Sequence, residues 1–159
     1  MTVHKRIPME ALSELLLLQM EKGGRAHLTV TGGSMLPMLR PCRDAVELIA
    51  PTGERKKGDI ILYRRASGAF VLHRIIALKD GGYICCGDNQ AEKEPVAPEQ
   101  MLAVVDGYIR KGKKRRIDGF GYRLYKGLWV GAFPLRRLYI AIRRPLGKLY
   151  RKCKGNKPE

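Results

Sequence analysis

Ser34 lies in the stretch TGGSMLPMLRP (residues 31–41), where two glycines precede it and two prolines follow it. Glycines permit backbone angles that other residues avoid, and prolines fix them, so this composition predicts a shaped, rigid turn. A serine hydroxyl becomes a good nucleophile only when a neighbouring base accepts its proton. An ordinary surface loop is the alternative, because turns favour these same residue types. Ser34 can therefore act as a nucleophile only if the fold places a base beside it.

Three histidines are the candidate bases: His4, His27 and His73. His73 lies inside VLHRIIAL, which is otherwise apolar except for Arg74, and this run predicts a strand. A core histidine with satisfied hydrogen bonds is the alternative to a catalytic one. Asp88, in CCGDNQ, could hold a histidine in one tautomer, although aspartate is also common in turns of this kind. His73 and Asp88 are therefore the candidate base and its orienting acid.

Short β-type runs separated by Gly-rich turn signals dominate the part of the chain that carries these residues. One amphipathic helix, Pro8–Lys22, is predicted before them and stops at two glycines. Many short strands with few helices predict a mainly β chain with a compact, antiparallel β-fold. The predicted strands are 27–31, 45–49, 59–63, 70–77, 82–86 and 101–109.

Positive charge is concentrated at the C-terminal end of the chain. The 159 residues have a formal net charge of +16. Residues 1–109 carry 14 Lys/Arg against 13 Asp/Glu, whereas residues 110–159 carry 17 Lys/Arg against two acidic residues. The charge and strand patterns together predict three parts: an N-terminal helix (1–25), a β-domain (26–109) and a basic aromatic tail (110–159).

The tail combines arginine pairs with aromatic and aliphatic residues. The like charges at 110–116 predict a hinge, and the arginine pairs beyond it fall on one helical face. We predict that the tail lies on an anionic membrane surface, with arginines toward the head groups and aromatic residues at the interface. Nucleic acid is the alternative partner, and the other interpretation is a solvated basic extension that folds over the body of the protein. The candidate contacts are Trp129, Arg136, Arg137, Arg143 and Arg144.

The sequence also bears on localisation. No apolar run approaches the roughly 20 residues needed to cross a bilayer. Glu10 and Glu14 interrupt the apolar stretch that a secretory signal would need. The four cysteines lack zinc-site spacing and predict reduced thiols. We therefore expect a cytoplasmic protein, peripheral on the inner face of the membrane, with no metal or other cofactor.

Four short boxes occur in order: GGSMLPML (32–39), KKGDIILYR (56–64), VLHRI (71–75) and GDN (87–89). This series resembles the type I signal peptidase superfamily over roughly residues 28–107. The resemblance is to the branch found in the endoplasmic reticulum, in archaea and in some Gram-positive bacteria. In that branch a serine pairs with a histidine, where the main bacterial branch uses a lysine.

The resemblance implies a serine endopeptidase that removes a leader or signal-like segment from a peptide or protein. It makes Ser34 the nucleophile, His73 the general base and acid, and Asp88 the group that holds the imidazole tautomer. It places Gly33, Met35 and Pro37 at the oxyanion site and substrate groove, with Met35 and Pro37 also shaping the turn.

The chain departs from the family pattern at several points. Gly32 stands where a hydroxyl residue is usual, and only Glu92 or Glu94 matches a second acidic residue expected after GDN. The membrane anchor that usually precedes the serine is also missing from the sequence. Two alternatives to a leader peptidase therefore stay open: a self-cleaving regulatory protein of the same fold, and a non-enzymatic module that binds membrane or nucleic acid through the tail.

Overall fold

Eight strands and a C-terminal helical region make up the protein within residues 18–19 and 23–140, the part that a computed structural model describes. A single 3-10 turn, Pro98–Gln100, precedes the seventh strand. Helix α1, Phe120–Gly131, follows the eighth strand, and residues 133–140 are helical as well. The strands are β1 Ala26–Thr29, β2 Ala45–Ile49, β3 Ile60–Arg64, β4 Phe70–Lys79, β5 Gly82–Cys86, β6 Glu94–Val96, β7 Met101–Arg110 and β8 Lys113–Arg116.

All the strands join one antiparallel sheet, which confirms the prediction of a mainly β, antiparallel fold. Its order is β1-β2-β7-β3-β4-β5-β6. Strand β7 is central: it pairs with β2 on one edge, and on the other edge first with β3 and then with β8. The sheet therefore joins an N-terminal pair of strands to a later group, β3–β6, through β7.

The sheet is buried on both faces around β3. Ile60 and Leu62 belong to one core cluster, and Ile61 and Tyr63 belong to another. Successive side chains of a strand point to opposite faces, so both faces of β3 are covered. This double burial explains why the β3 sequence, IILYR, is a continuous apolar run instead of an alternating one.

The six predicted strands agree with the structure to within about two residues at their ends, but β6 and β8 are not among them. Strand β6 has three residues with a central proline. Strand β8 is the exposed sequence KKRR, which has no apolar pattern and forms a strand only by pairing with β7. The predicted hinge at 110–116 is therefore wrong: it is a hairpin, which turns at Lys111 and Gly112, both with positive φ.

The tail packs against the sheet through part of its length. Tyr122 and Val130 of α1 are buried, and so are Phe133, Arg136 and Ile140 of the following helical segment. Residues 120–140 therefore fold over the body of the protein, which is the part of the basic-extension interpretation that the structure confirms. Most of the predicted N-terminal helix, together with Arg143 and Arg144, lies outside the described residues.

Candidate functional site

The turn that carries Ser34 connects β1 to β2 and is anchored in the core. Met35 is 1 % exposed and belongs to a core cluster, and its carbonyl accepts a hydrogen bond from the Leu39 amide at 2.9 Å. The Met35 side chain faces inward and shapes the turn, as the resemblance implies, but it is too buried to line a substrate groove, so that part of the prediction is wrong. Gly33 and Pro37 are exposed, and Ser34 itself is partly exposed.

A second loop, Gly87–Asn89, closes against the Ser34 turn. The Asn89 amide donates to the Ser34 carbonyl at 2.7 Å, and the Asn89 side-chain amide donates to the Gly33 carbonyl at 3.3 Å. A Cβ atom at Gly87 would lie 2.8 Å from the Ser34 carbonyl oxygen and 3.1 Å from His73 Nε2. The Ser34 backbone and the His73 ring therefore border the same small space beside Gly87, which only a glycine leaves open.

His73 lies on β4 and is buried, and its hydrogen bonds define its tautomer. Its Nδ1 is 3.1 Å from the Tyr63 hydroxyl oxygen, and that hydroxyl donates to Glu94 Oε2 at 2.8 Å. Because a hydroxyl has one proton, which goes to Glu94, the His73 Nδ1–H must be the donor to Tyr63. The other ring nitrogen, Nε2, is then unprotonated, and it is the nitrogen beside Gly87.

The groups behind His73 form a charged chain. Arg65 holds Glu94 with two hydrogen bonds of 2.6 Å, and this guanidinium keeps the pKa of Glu94 below its usual value. Burial lowers the pKa of His73 to about 4 and raises that of Tyr63. At neutral pH the site therefore has a neutral imidazole with a free Nε2, backed through Tyr63 by an ionised carboxylate.

The structure corrects the role of Asp88. Its two carboxylate oxygens accept hydrogen bonds from Nε and Nη2 of Arg74, each at 2.8 Å, and both side chains are 0 % exposed. His73 and Arg74 are consecutive residues of β4, so their side chains project to opposite faces, and Asp88 lies on the Arg74 side. The prediction that Asp88 orients His73 is wrong, because the His73 Nδ1 is hydrogen-bonded with Tyr63.

The Arg74–Asp88 pair is also the point where the tail meets the β-domain. The Tyr125 hydroxyl donates to Asp88 Oδ2 at 3.1 Å, and the Trp129 indole N–H donates to the Asp88 carbonyl at 3.2 Å. Arg136 Nη1 lies 3.8 Å from Asp88 Oδ1. The prediction that Trp129 and Arg136 contact a membrane is therefore wrong, because both side chains face the β-domain.

The sequence does not reveal that Tyr63 is hydrogen-bonded to His73. It leaves Glu94 as one of two candidates for the acidic residue that the family has after GDN. The sheet register contains the signal that could have found Tyr63. Ile61 pairs with His73 across β3 and β4, so Tyr63, two residues along β3, lies on the same face and diagonal to His73. A hairpin prediction with explicit register would have placed the tyrosine beside the histidine.

The Ser34 hydroxyl and the His73 ring are the two candidate catalytic groups. Within the described chain, the Ser34 hydroxyl has no hydrogen bond to the His73 ring. Catalytic hydrogen bonds are often long before substrate binds and tighten in the complex, so this arrangement is compatible with a serine–histidine pair.

Across residues 23–140, no cluster of His, Cys, Asp or Glu side chains is arranged to hold a metal ion. None of the described helices has the length and apolar content to cross a membrane. No model of a known protein family matches the chain, and no curated protein is significantly similar to it. The geometry of Ser34, His73 and their neighbours is therefore the basis on which a function is argued.

Proposed function

We propose that the protein is a serine endopeptidase in which Ser34 is the nucleophile and His73 is the general base. The observation that carries this proposal is the His73 tautomer, because the hydrogen bond to Tyr63 leaves Nε2 unprotonated on the side where the Ser34 backbone lies. The order of the four sequence boxes supports the same assignment, since the series resembles signal peptidases of the serine–histidine branch.

In this mechanism His73 Nε2 accepts the Ser34 hydroxyl proton as the oxygen attacks a peptide carbonyl. The imidazolium that forms is stabilised through Tyr63 by the negative charge of Glu94, which Arg65 holds in place. His73 then protonates the leaving amine, and water hydrolyses the acyl-serine ester with the same ring as base. The mechanism thus assigns to the Tyr63–Glu94 pair the role that the sequence resemblance implies for Asp88.

The tetrahedral intermediate needs donors for its oxyanion. The Ser34 amide donates to no backbone carbonyl among the described residues, so it is free to donate to the developing negative charge. A Cβ atom at Gly32 would meet open space, with no heavy atom within 4 Å, and the residue has no side-chain donor. The oxyanion site proposed here is therefore made by backbone.

A peptide-library digest tests the proposal. The purified protein is incubated with a mixture of peptides that contain leader-like segments, and the products are identified by mass spectrometry. We expect one cleavage specificity that disappears in a Ser34→Ala variant prepared identically. Equal cleavage by the two proteins, or no cleavage by either, would contradict the proposal.

The pH dependence of cleavage should reflect the burial of His73. The ring must be neutral to accept a proton, and burial lowers its pKa from 6.5 to about 4. We therefore expect kcat/KM to stay constant as the pH falls through 6.5, and to decrease only as the pH approaches about 4. Circular dichroism at each pH separates this loss from unfolding. A midpoint at or above 6.5 would show that His73 is not the base.

We also propose that the tail places this peptidase on an anionic membrane surface. The residues that would contact the membrane differ from the Trp129 and Arg136 that the sequence predicts. Three apolar residues on one side of α1 are exposed: Phe120 at 83 %, Leu124 at 55 % and Leu128 at 64 %. Leu135, Leu138 and Tyr139 of the following segment are exposed too, and Arg123 and Arg137 lie among them. Exposed apolar residues among basic ones suit the interface of an anionic bilayer.

Vesicle sedimentation tests this surface. We expect binding to anionic vesicles and little binding to neutral ones, because each Lys or Arg near an anionic surface contributes about 1 kcal/mol. A double change, Leu124→Ser with Leu128→Ser, should weaken anionic binding severalfold by removing buried apolar area. Leu78→Ser is the matched control, since Leu78 is 55 % exposed on the β4–β5 hairpin. Equal binding by the two variants, or preferential binding to single-stranded nucleic acid, would contradict the membrane assignment.

A further inference from the structure

Two residues of helix α1 converge on Asp88, although Asp88 already has a complete ion pair. Tyr125 donates to its carboxylate and Trp129 donates to its backbone carbonyl, so the side chain and the main chain of Asp88 are both held by the same helix. The two rings stack on each other with centroids 5.3 Å apart. Helix α1 therefore fixes both the carboxylate and the peptide group of one residue.

Asp88 lies between the two residues that border the candidate active site. Gly87 lies beside His73 Nε2, and Asn89 donates its amide to the Ser34 carbonyl at 2.7 Å. A shift of the Asp88 peptide therefore moves the donor that holds Ser34 and the glycine that separates Ser34 from the base.

We propose that Tyr125 and Trp129 are positioning residues for the candidate active site, which act through Asp88 on the Gly87–Asn89 loop. This inference rests on the proposed peptidase function for its kinetic consequence. Among the described residues, neither ring has a hydrogen bond to Ser34 or His73; each acts by fixing the loop that borders them. Helix α1 thus supports the candidate active site through its inward-facing side chains. Its outward-facing side chains remain available to contact a membrane.

The helix also has contacts with the sheet that do not involve Asp88 itself. Tyr122 is buried and its hydroxyl accepts a hydrogen bond from Arg74 Nη1 at 2.9 Å, and Lys126 lies against Gly58, 3.9 Å from the Asp59 carboxylate. These contacts hold the helix on the sheet when the Asp88 contacts are weakened. Conservative changes at Tyr125 and Trp129 therefore remove the hydrogen bonds while the helix stays docked.

The test uses Tyr125→Phe and Trp129→Phe in the full chain, with Leu78→Ser at the exposed end of β4 as the control. We expect kcat to fall by about ten- to a hundredfold in the first two variants with KM nearly unchanged, because small displacements of a reacting group cost this much. We also expect faster hydrogen exchange of the Asn89 amide, measured by NMR. The control should have wild-type values for both quantities.

The two readouts separate the positioning role from the peptidase activity. Unchanged Asn89 exchange in both variants would overturn the positioning proposal, whatever the protein cleaves. Faster exchange with unchanged kcat would overturn it as well, because the loop would then move without affecting the reaction. If Ser34→Ala cleaves peptides as well as the wild type does, the peptidase proposal fails, and the Asn89 exchange alone decides whether α1 holds the loop.

Discussion

Replacement of either Ser34 or His73 by alanine is expected to reduce kcat/KM by about a thousandfold or more. The two groups act in one proton-transfer step, so the loss of either removes the activated nucleophile. For the same reason the double variant Ser34→Ala/His73→Ala should be little worse than either single variant. Initial rates of cleavage of one peptide substrate, measured for the wild type and the three variants, check this expectation.

A histidine outside the site provides the control. His27 is exposed and hydrogen-bonded to Glu47 on the opposite part of the sheet, so His27→Ala should retain wild-type kcat/KM. Additive losses in the Ser34/His73 double variant would contradict the mechanism, because they would mean that the two groups act in separate steps.

Removal of the Asp88 charge is expected to cost about 3–5 kcal/mol of folding free energy in an Asp88→Asn variant. The Arg74 guanidinium is 0 % exposed, and both carboxylate oxygens of Asp88 accept hydrogen bonds from it, so Asp88 neutralises its charge. The asparagine side chain would leave that buried cation without a compensating charge. Urea unfolding measures the effect, which should appear as a lower midpoint with an unchanged m-value.

A surface ion pair of the same residue types serves as the comparison. Arg25 and Asp106 form a salt bridge in which the two side chains are 54 % and 34 % exposed. Exposed pairs contribute about 0–1 kcal/mol, so Asp106→Asn should change the midpoint far less than Asp88→Asn does. Equal midpoints for the two variants would show that the buried pair does not stabilise the fold.

The strands that could be predicted from the sequence are those whose own residues identify them. Strands such as β3 and β4 contain apolar and β-branched runs bounded by turn signals, and these properties are local. Strand β8 is all lysine and arginine, and its conformation depends on pairing with β7, which is not a property of its own composition. The packing of the tail over the body was one of several open interpretations, because its aromatic pattern suits a membrane surface as well as a protein surface.

The sequence places the Ser34 turn and His73 in one candidate site, and the structure brings both to the space beside Gly87, whereas the partner of the His73 ring is not predicted. Ser34 and His73 lie in boxes whose residue types and order indicate their chemistry. Asp88 and Glu94 are both acidic residues that follow β5 closely, so the sequence allows either of them to be the acidic partner of His73. Consecutive residues of β4 face opposite sides of the sheet, so His73 and Arg74 meet different acidic residues. A shift of one residue in register would place Asp88 on the His73 side and Glu94 on the Arg74 side.

The central position of β7 has a consequence for the order in which the protein is made. Ser34 lies between β1 and β2, whereas His73 lies on β4, and the sheet joins these two strand groups through β7. On the ribosome, both groups emerge before β7 does, and non-local strand pairing cannot form until the intervening chain has been synthesised. Until β7 has been synthesised, the nascent chain therefore holds the proposed nucleophile and the proposed base in strand groups that the sheet has not yet joined.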